Sequence, residues 1–177
     1  MKLLKEIYRQ ENLDFDGKII YREAVRGVIL KGDSIYMLFS NQDGDYKFPG
    51  GGIEAGETKE ETLKREIKEE TGALVLNIGE EIGKIIEYKE AKEEEYDIFK
   101  MISYYYMCDV KENYCNQCLD QYEKDLGFEP VWIDINDAII KNKSIIDLRD
   151  QKENGWIIRE TYVLEKIRKM LKKRQTI

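Results

Sequence analysis

Three glutamates, Glu66, Glu69 and Glu70, lie three and four positions apart in a stretch that begins with Gly50-Gly51-Gly52. On a helix they would share one face, because residues three or four apart are neighbours there. Three like charges on one face oppose the helix unless something neutralises them. A hard divalent cation, which takes oxygen ligands, is the natural neutraliser. A carboxylate-held cation beside a tight glycine turn suits phosphate binding, so the segment points to metal-dependent phosphate chemistry. The bland alternative is a solvated acidic face, partly offset by Lys59 one or two turns earlier.

Composition narrows the chemistry further. The chain has no histidine. That removes Ser-His-Asp and Cys-His nucleophiles and every His-ligated zinc site. Acid–base work must fall to carboxylates, lysine, tyrosine, cysteine or metal-bound water. Of the three cysteines, Cys115 and Cys118 form a lone Cys-x-x-Cys in a polar, loop-like context. One such pair is half a zinc set, so all three read as structural or incidental thiols. A net charge of -7 argues against a long nucleic-acid partner, since phosphate backbones select basic surfaces. It leaves a small phosphorylated substrate open, because a bound cation reverses the sign locally. A length of 177 residues fits one domain with a substantial core. No apolar run approaches the roughly 20 residues of a membrane span. The N-terminal segment is interrupted by charge and lacks the apolar run of a signal peptide. The cytoplasm is the expected location.

The glutamates need a scaffold that positions a turn-to-helix junction. Strands are predicted at 24–30, 35–40 and 46–48, separated by turns at Lys31-Gly32-Asp33 and at 41–45. Thr58 and Glu61 form a capping box for the helix, and Gly72 suits its stop. The helix then runs from residue 59 to 71, roughly 20 Å. Leu63 and Ile67 should face the core, with the carboxylates at the edge of the buried side. Residues 73–88 contain two apolar, strand-like runs, and 89–97 read as an acidic, solvated loop. Residues 98–110 are apolar on both faces, as a central strand would be. Residues 111–129 read as polar and irregular, and 131–133 as a short strand. Asp134 or Asn136 could cap a helix to about Asn142. Residues 155–173 read as an amphipathic terminal helix, whose apolar side could make a homodimer contact. Tyr104, Tyr105, Tyr106, Phe128 and Trp132 read mainly as packing, with a base-stacking platform as the alternative. Strands mixed with helices indicate an α/β sandwich.

Taken together, Gly51, Glu57, Arg65-Glu66-Ile67, Glu69-Glu70 and Gly72-Ala73 resemble the Nudix box, the signature of the Nudix hydrolases. Every fixed position over 51–73 is filled, with small Ala73 at the last aliphatic place, and Phe48-Pro49-Gly50 ahead of it is also similar to the family. The resemblance covers about 20–142. The first 20 residues and the terminal helix lie outside what the box supports, although a single Nudix domain over 1–177 is expected. Membership implies an α/β/α sandwich with a mixed central sheet. It also implies Mg²⁺- or Mn²⁺-assisted attack of water on a pyrophosphate within a nucleoside diphosphate linked to another group. Carried over by position, Glu69 and Glu70 are metal ligands and Glu66 is a ligand or the general base. The Gly50 carbonyl completes the metal's shell, while Gly51, Glu57 and Arg65 hold the glycine loop against the helix. Many relatives add an acidic residue from a later loop. Glu123 is the best candidate here, with Asp120 and Glu93-Glu94-Glu95 as competitors.

The substrate is less legible. The proline that marks ADP-sugar specificity downstream of the box in some subfamilies is replaced by Tyr88. The markers of NADH pyrophosphatases and of coenzyme A hydrolases are missing. The remaining reading is a nucleoside triphosphate or related nucleotide. A non-catalytic Nudix-fold nucleotide sensor is the alternative. Such proteins typically lose a box carboxylate, and this chain keeps them all.

Overall fold

The structure, a computed structural model, describes residues 1–148 and 155–175. The strands are β1 (Leu3–Tyr8), β2 (Ile19–Val28), β3 (Leu30–Lys31), β4 (Ser34–Ser40), β5 (Tyr46–Lys47), β6 (Leu74–Glu90), β7 (Ile98–Lys111) and β8 (Phe128–Asp134). The helices are α1 (Lys59–Thr71), α2 (Gln121–Leu126), α3 (Ile135–Leu148) and α4 (Ile157–Gln175). One sheet has the order β1-β6-β7-β2. It is mixed: β1 runs parallel to β6 and β2 to β7, while β6 and β7 are antiparallel. The second sheet is antiparallel, with β4 pairing β3, β5 and β8. The α/β class and the mixed sheet are as expected; the division of the strands between two sheets is additional.

Side chains alternate across a strand, and here the alternation feeds two cores. Val25, Tyr36 and Tyr104 join Leu63 and Ile67 of α1. Val28, Met37 and Tyr105 join Ile135 and Ile139 of α3 and Val163, Leu164 and Ile167 of α4. Helix α1 thus packs on one side, and α3 with α4 on the other. The apolar side of α4, which its sequence allowed as a dimer contact, packs into this core within its own chain. No helix among the described residues is long and apolar enough to cross a membrane.

Several elements differ from expectation. The two runs in 73–88 form a single strand whose register shifts at Val75/Asn77, Ile78/Glu81 and Glu81/Gly83. Bulges place two residues opposite one and so break the strict alternation. β1 arises inside a charged segment where Ile7 alone is buried, and its parallel pairing with β6 is non-local. Within the supposedly irregular 111–129 lies α2, six residues long and too short to show a period. Its signals were local ones: Asp120 and Glu123 form a capping box, and Gly127 closes the helix in the left-handed region at φ 63°. Helix α3 continues past Asn142, which is buried. Its amide binds both backbone groups of Tyr46, at 2.8 and 3.0 Å.

Candidate active site

Helix α1 starts where the sequence says it should. The Thr58 hydroxyl accepts from the Glu61 amide at 3.2 Å, and Glu61 accepts from the Thr58 amide at 2.9 Å. Gly72 ends it at φ 69°, donating its N–H to the Lys68 carbonyl. The glycine turn is tied to β2: Val25 N–H donates to the Gly51 carbonyl at 3.0 Å, and Gly27 N–H to the Pro49 carbonyl at 2.8 Å. The turn must be free of side chains because β2 and α1 lie against it. A Cβ on Gly51 would come within 2.3 Å of the Glu66 carboxylate.

Glu70 is fully buried. Its Oε2 accepts the Gly50 N–H at 2.5 Å, and its Oε1 lies 2.7 Å from Lys47 Nζ. That ammonium also sits 4.6 Å from the centre of the Phe128 ring. Glu66 lies a turn away and is partly buried. Burial pushes its carboxyl above the usual range, against the opposing pull of Arg65, Arg26 and Lys47.

Arg65 organises the rim. Its Nε and Nη2 grip Glu57 at 2.7 and 2.8 Å, and Nη2 also reaches the Gly52 carbonyl at 3.3 Å. Its Nη1 donates to Glu66 at 2.9 Å and Glu69 at 3.2 Å. This fork uses the planar guanidinium's fixed donors. It holds the Glu57 carboxyl down at about 2, helped by the Glu54 amide and the Thr62 hydroxyl.

Glu123 arrives from far along the chain. The last turn of a helix leaves carbonyls without intrahelical partners, and the segment between β7 and α2 supplies partners for those of α1. Tyr114 and Cys115 donate their amides to the Gly72 carbonyl at 3.0 Å each, and Cys118 donates to the Glu69 carbonyl at 2.8 Å. The Gln117 side chain donates to the Glu70 carbonyl at 2.6 Å and to Phe128 at 3.1 Å. The Cys-x-x-Cys therefore contributes here through its backbone, with both thiols exposed. Docking the loop brings Glu123 of α2 to the carboxylates of α1. Glu66, Glu70 and Glu123 then each offer an oxygen, all within 4.8 Å of one another. Burial raises the Glu123 carboxyl; the Asp120 amide opposes this, and the Glu70 charge adds to it.

The remaining sequence candidates fall elsewhere. Glu69 stands outside the close trio, its side chain 41% exposed and paired with Arg65. Gly50 contributes its amide to Glu70. Asp120 is occupied as the cap of α2, and Glu93, Glu94 and Glu95 are exposed in the loop after β6. Tyr104, Tyr105 and Phe128 are buried, and Trp132 packs on Tyr36 while its indole donates to Glu112 at 2.7 Å. Lys59 covers the Tyr104 ring, 3.4 Å from its centre. Sequence reasoning missed Lys47 and Gln117. Lys47 had a signal, a lone cation immediately before Phe48-Pro49-Gly50. Gln117 had none, since its acceptors lie 47 and 11 positions away.

The NUDIX domain profile matches residues 20–152. Among curated proteins, the ADP-ribose pyrophosphatase of Methanocaldococcus jannaschii is 44% identical over 54 residues, covering 29% of this chain and 32% of that protein. The 8-oxo-dGTP diphosphatase of Haemophilus influenzae is 58% identical over 31 residues, 18% of this chain and 23% of that protein. The chain thus spans a third or less of the curated relatives it matches. Among solved structures, a MutT protein from Bacillus halodurans aligns with a TM-score of 0.50 at 23% identity, covering 68% of this chain and 72% of that one. That similarity concerns the fold alone. With the profile matched across most of its length, the chain belongs to the NUDIX family.

Proposed function

We propose that this protein hydrolyses a pyrophosphate bond in a nucleoside diphosphate linked to another group, with a nucleoside triphosphate or related nucleotide as substrate. One observation carries the reading: Glu66, Glu70 and Glu123, drawn from two distant segments, converge within 4.8 Å beside the glycine turn. The donor set fits Mg²⁺ or Mn²⁺, hard cations that take carboxylate oxygens and keep several waters. Glu66, Glu70 and Glu123 would hold the ion, with Glu69 and the Gly50 carbonyl at its margin. Held by these residues, a divalent ion would supply a more acidic water and screen a densely anionic pyrophosphate.

The chain's own residues supply the rest. Gly50, Gly51 and Gly52 let the turn pack against Val25, Glu66 and Arg22, where a Cβ would clash. Arg65 and Glu57 fix the turn to α1, and the loop that caps α1 keeps Glu123 in register with Glu70. We read β1 and α4, which lie outside the box, as parts of the same domain, acting in the cytoplasm on a small molecule. The relatives named for 8-oxo-dGTP and ADP-ribose supply the first substrates to try.

The test is product release from a nucleotide panel with Mg²⁺ or Mn²⁺, comparing wild type with Glu70→Gln. Equal rates for the two proteins on every hydrolysed substrate would remove Glu70 from the chemistry. Ligand-dependent stabilisation without turnover across the panel would favour a nucleotide sensor instead.

A further inference from the structure

Each Glu70 carboxylate oxygen already holds a donor. Oε2 takes the Gly50 amide, and Oε1 takes the Lys47 ammonium. The pair is well shielded, with side-chain exposures of 13% for Lys47 and 1% for Glu70. The ammonium's field also reaches Glu66 and Glu123. Arg65 pairs with Glu66 at the rim, so Lys47 is the cation that directly balances Glu70, the buried member of the trio. It hangs from the two-residue strand β5 on a flexible four-carbon stem, which lets an ammonium change partners easily.

A divalent ion on the same three carboxylates would stand within a few ångströms of this ammonium. Like charges a few ångströms apart repel, and more strongly where the protein keeps water out. The two cations cannot both lie against Glu70 without that repulsion. A phosphate chain delivered to the site offers the displaced ammonium a new anionic partner.

We propose that Lys47 is an exchangeable counter-ion: it holds the carboxylate trio together in the metal-free protein, gives up Glu70 to the metal, and moves to a phosphate oxygen of the substrate. This rests on the metal-dependent reading above. Lys47 then competes with the metal when substrate is absent and favours its binding when phosphate is present. That is a coupling between two ligands through one side chain, and it acts in both directions.

The sign of one measurement tests this. Mn²⁺ binding is measured by isothermal titration calorimetry on the full chain, without and then with imidodiphosphate, a pyrophosphate analogue that resists hydrolysis. Lys47→Met should bind Mn²⁺ alone about tenfold tighter than wild type, a shift of the size a nearby unit charge exerts. It should also lose part of the wild-type gain in Mn²⁺ affinity on adding imidodiphosphate. Lys47→Arg, which keeps the charge, should stay close to wild type in both. Lys47→Gln makes the same comparison should the methionine variant fail to fold. Equal or weaker Mn²⁺ binding by the neutral variants would mean that Lys47 only orients Glu70, and would overturn the proposal. Identical behaviour of the methionine and arginine variants would overturn it as well. Failure of wild type to bind Mn²⁺ would instead sink the metal-dependent function itself.

Discussion

Two buried charge clusters grip the same turn from opposite sides, and they are built differently. On one side the Gly50 amide goes to Glu70, in a set of three carboxylates where Lys47 pairs with Glu70 and Arg65 with Glu66, leaving Glu123 without a paired cation among the described residues. On the other, the Phe48 amide goes to Glu160 at 3.1 Å. There Arg159 pairs with both Glu160 and Glu87, and Arg9 pairs with Glu87 again. Two guanidinium groups thus meet two carboxylates, and the account balances. Burial alone would push the Glu87 carboxyl up, yet Arg159 and Arg9 outweigh it and hold it below the usual range. Glu66 and Glu123 show the reverse, raised by burial that their neighbours do not offset. A balanced buried cluster fixes geometry, whereas an unbalanced one stays ready for a cation. On the proposed function, α4 serves structure and α1 the chemistry.

The largest effect should come from the unbalanced set. Glu70→Gln is expected to lower kcat/KM by about 10³-fold, or about 4 kcal/mol of transition-state stabilisation. Steady-state kinetics on the substrate found in the panel check this. Glu123→Gln should weaken both Mn²⁺ binding and turnover; unchanged values would place Glu123 outside the site.

Breaking the balanced set should act on stability instead. Glu87→Gln leaves two guanidinium groups undercompensated, and breaking a buried pair costs about 3–5 kcal/mol. For a chain of this size that lowers Tm by about 10 °C. Calorimetry of the metal-free protein measures it. A fall in kcat at unchanged Tm would mean the two clusters do not divide the work this way.

Arg65→Lys tests the rim that joins the turn to the helix. Lysine cannot reproduce the fork that meets Glu57, Glu66, Glu69 and Gly52. Activity should fall about 10- to 100-fold, the usual cost of losing a group that orients metal ligands, with Tm nearly unchanged.

The smallest effects should appear in the pH dependence, where the clusters carry opposite signs. Glu87 titrates low when folded, so its contribution is present above the unfolded carboxylate range, about pH 4.3. It is lost as pH falls through the lower folded value. Glu57 behaves alike, losing its contribution towards its folded value of about 2. Glu66 and Glu123 titrate high. In the metal-free protein their contribution is complete below the unfolded range and is lost as pH rises through the folded values. Plots of Tm against pH for wild type and Glu66→Gln should therefore diverge on the neutral side, with the variant falling less. Superimposable curves would mean that Glu66 carries no burial strain.

Much of this was legible because its causes are local. Thr58, Glu61 and Gly72 delimit α1 through bonds made within a few residues, and the spacing of Glu66 and Glu70 places both on one face. Local signals also marked α2, although its length hid it among polar residues. β1 and the bulges of β6 carried no comparable mark, because their pairing and register are decided by strands remote in sequence.

The residues from 50 to 73 determined by themselves the helix, its caps, the glycine turn and the carboxylate face, since each is fixed by backbone geometry over one or two turns. Only the tertiary structure decided which carboxylates meet. Glu69 turns to Arg65 and leaves the close trio, while Glu123 joins because a loop satisfies the open carbonyls of α1. Lys47 and Glu160 enter through the same long-range packing. Hydrogen-bond needs at a helix end and the neutralisation of buried charge are met in space, by whichever segments the fold brings near.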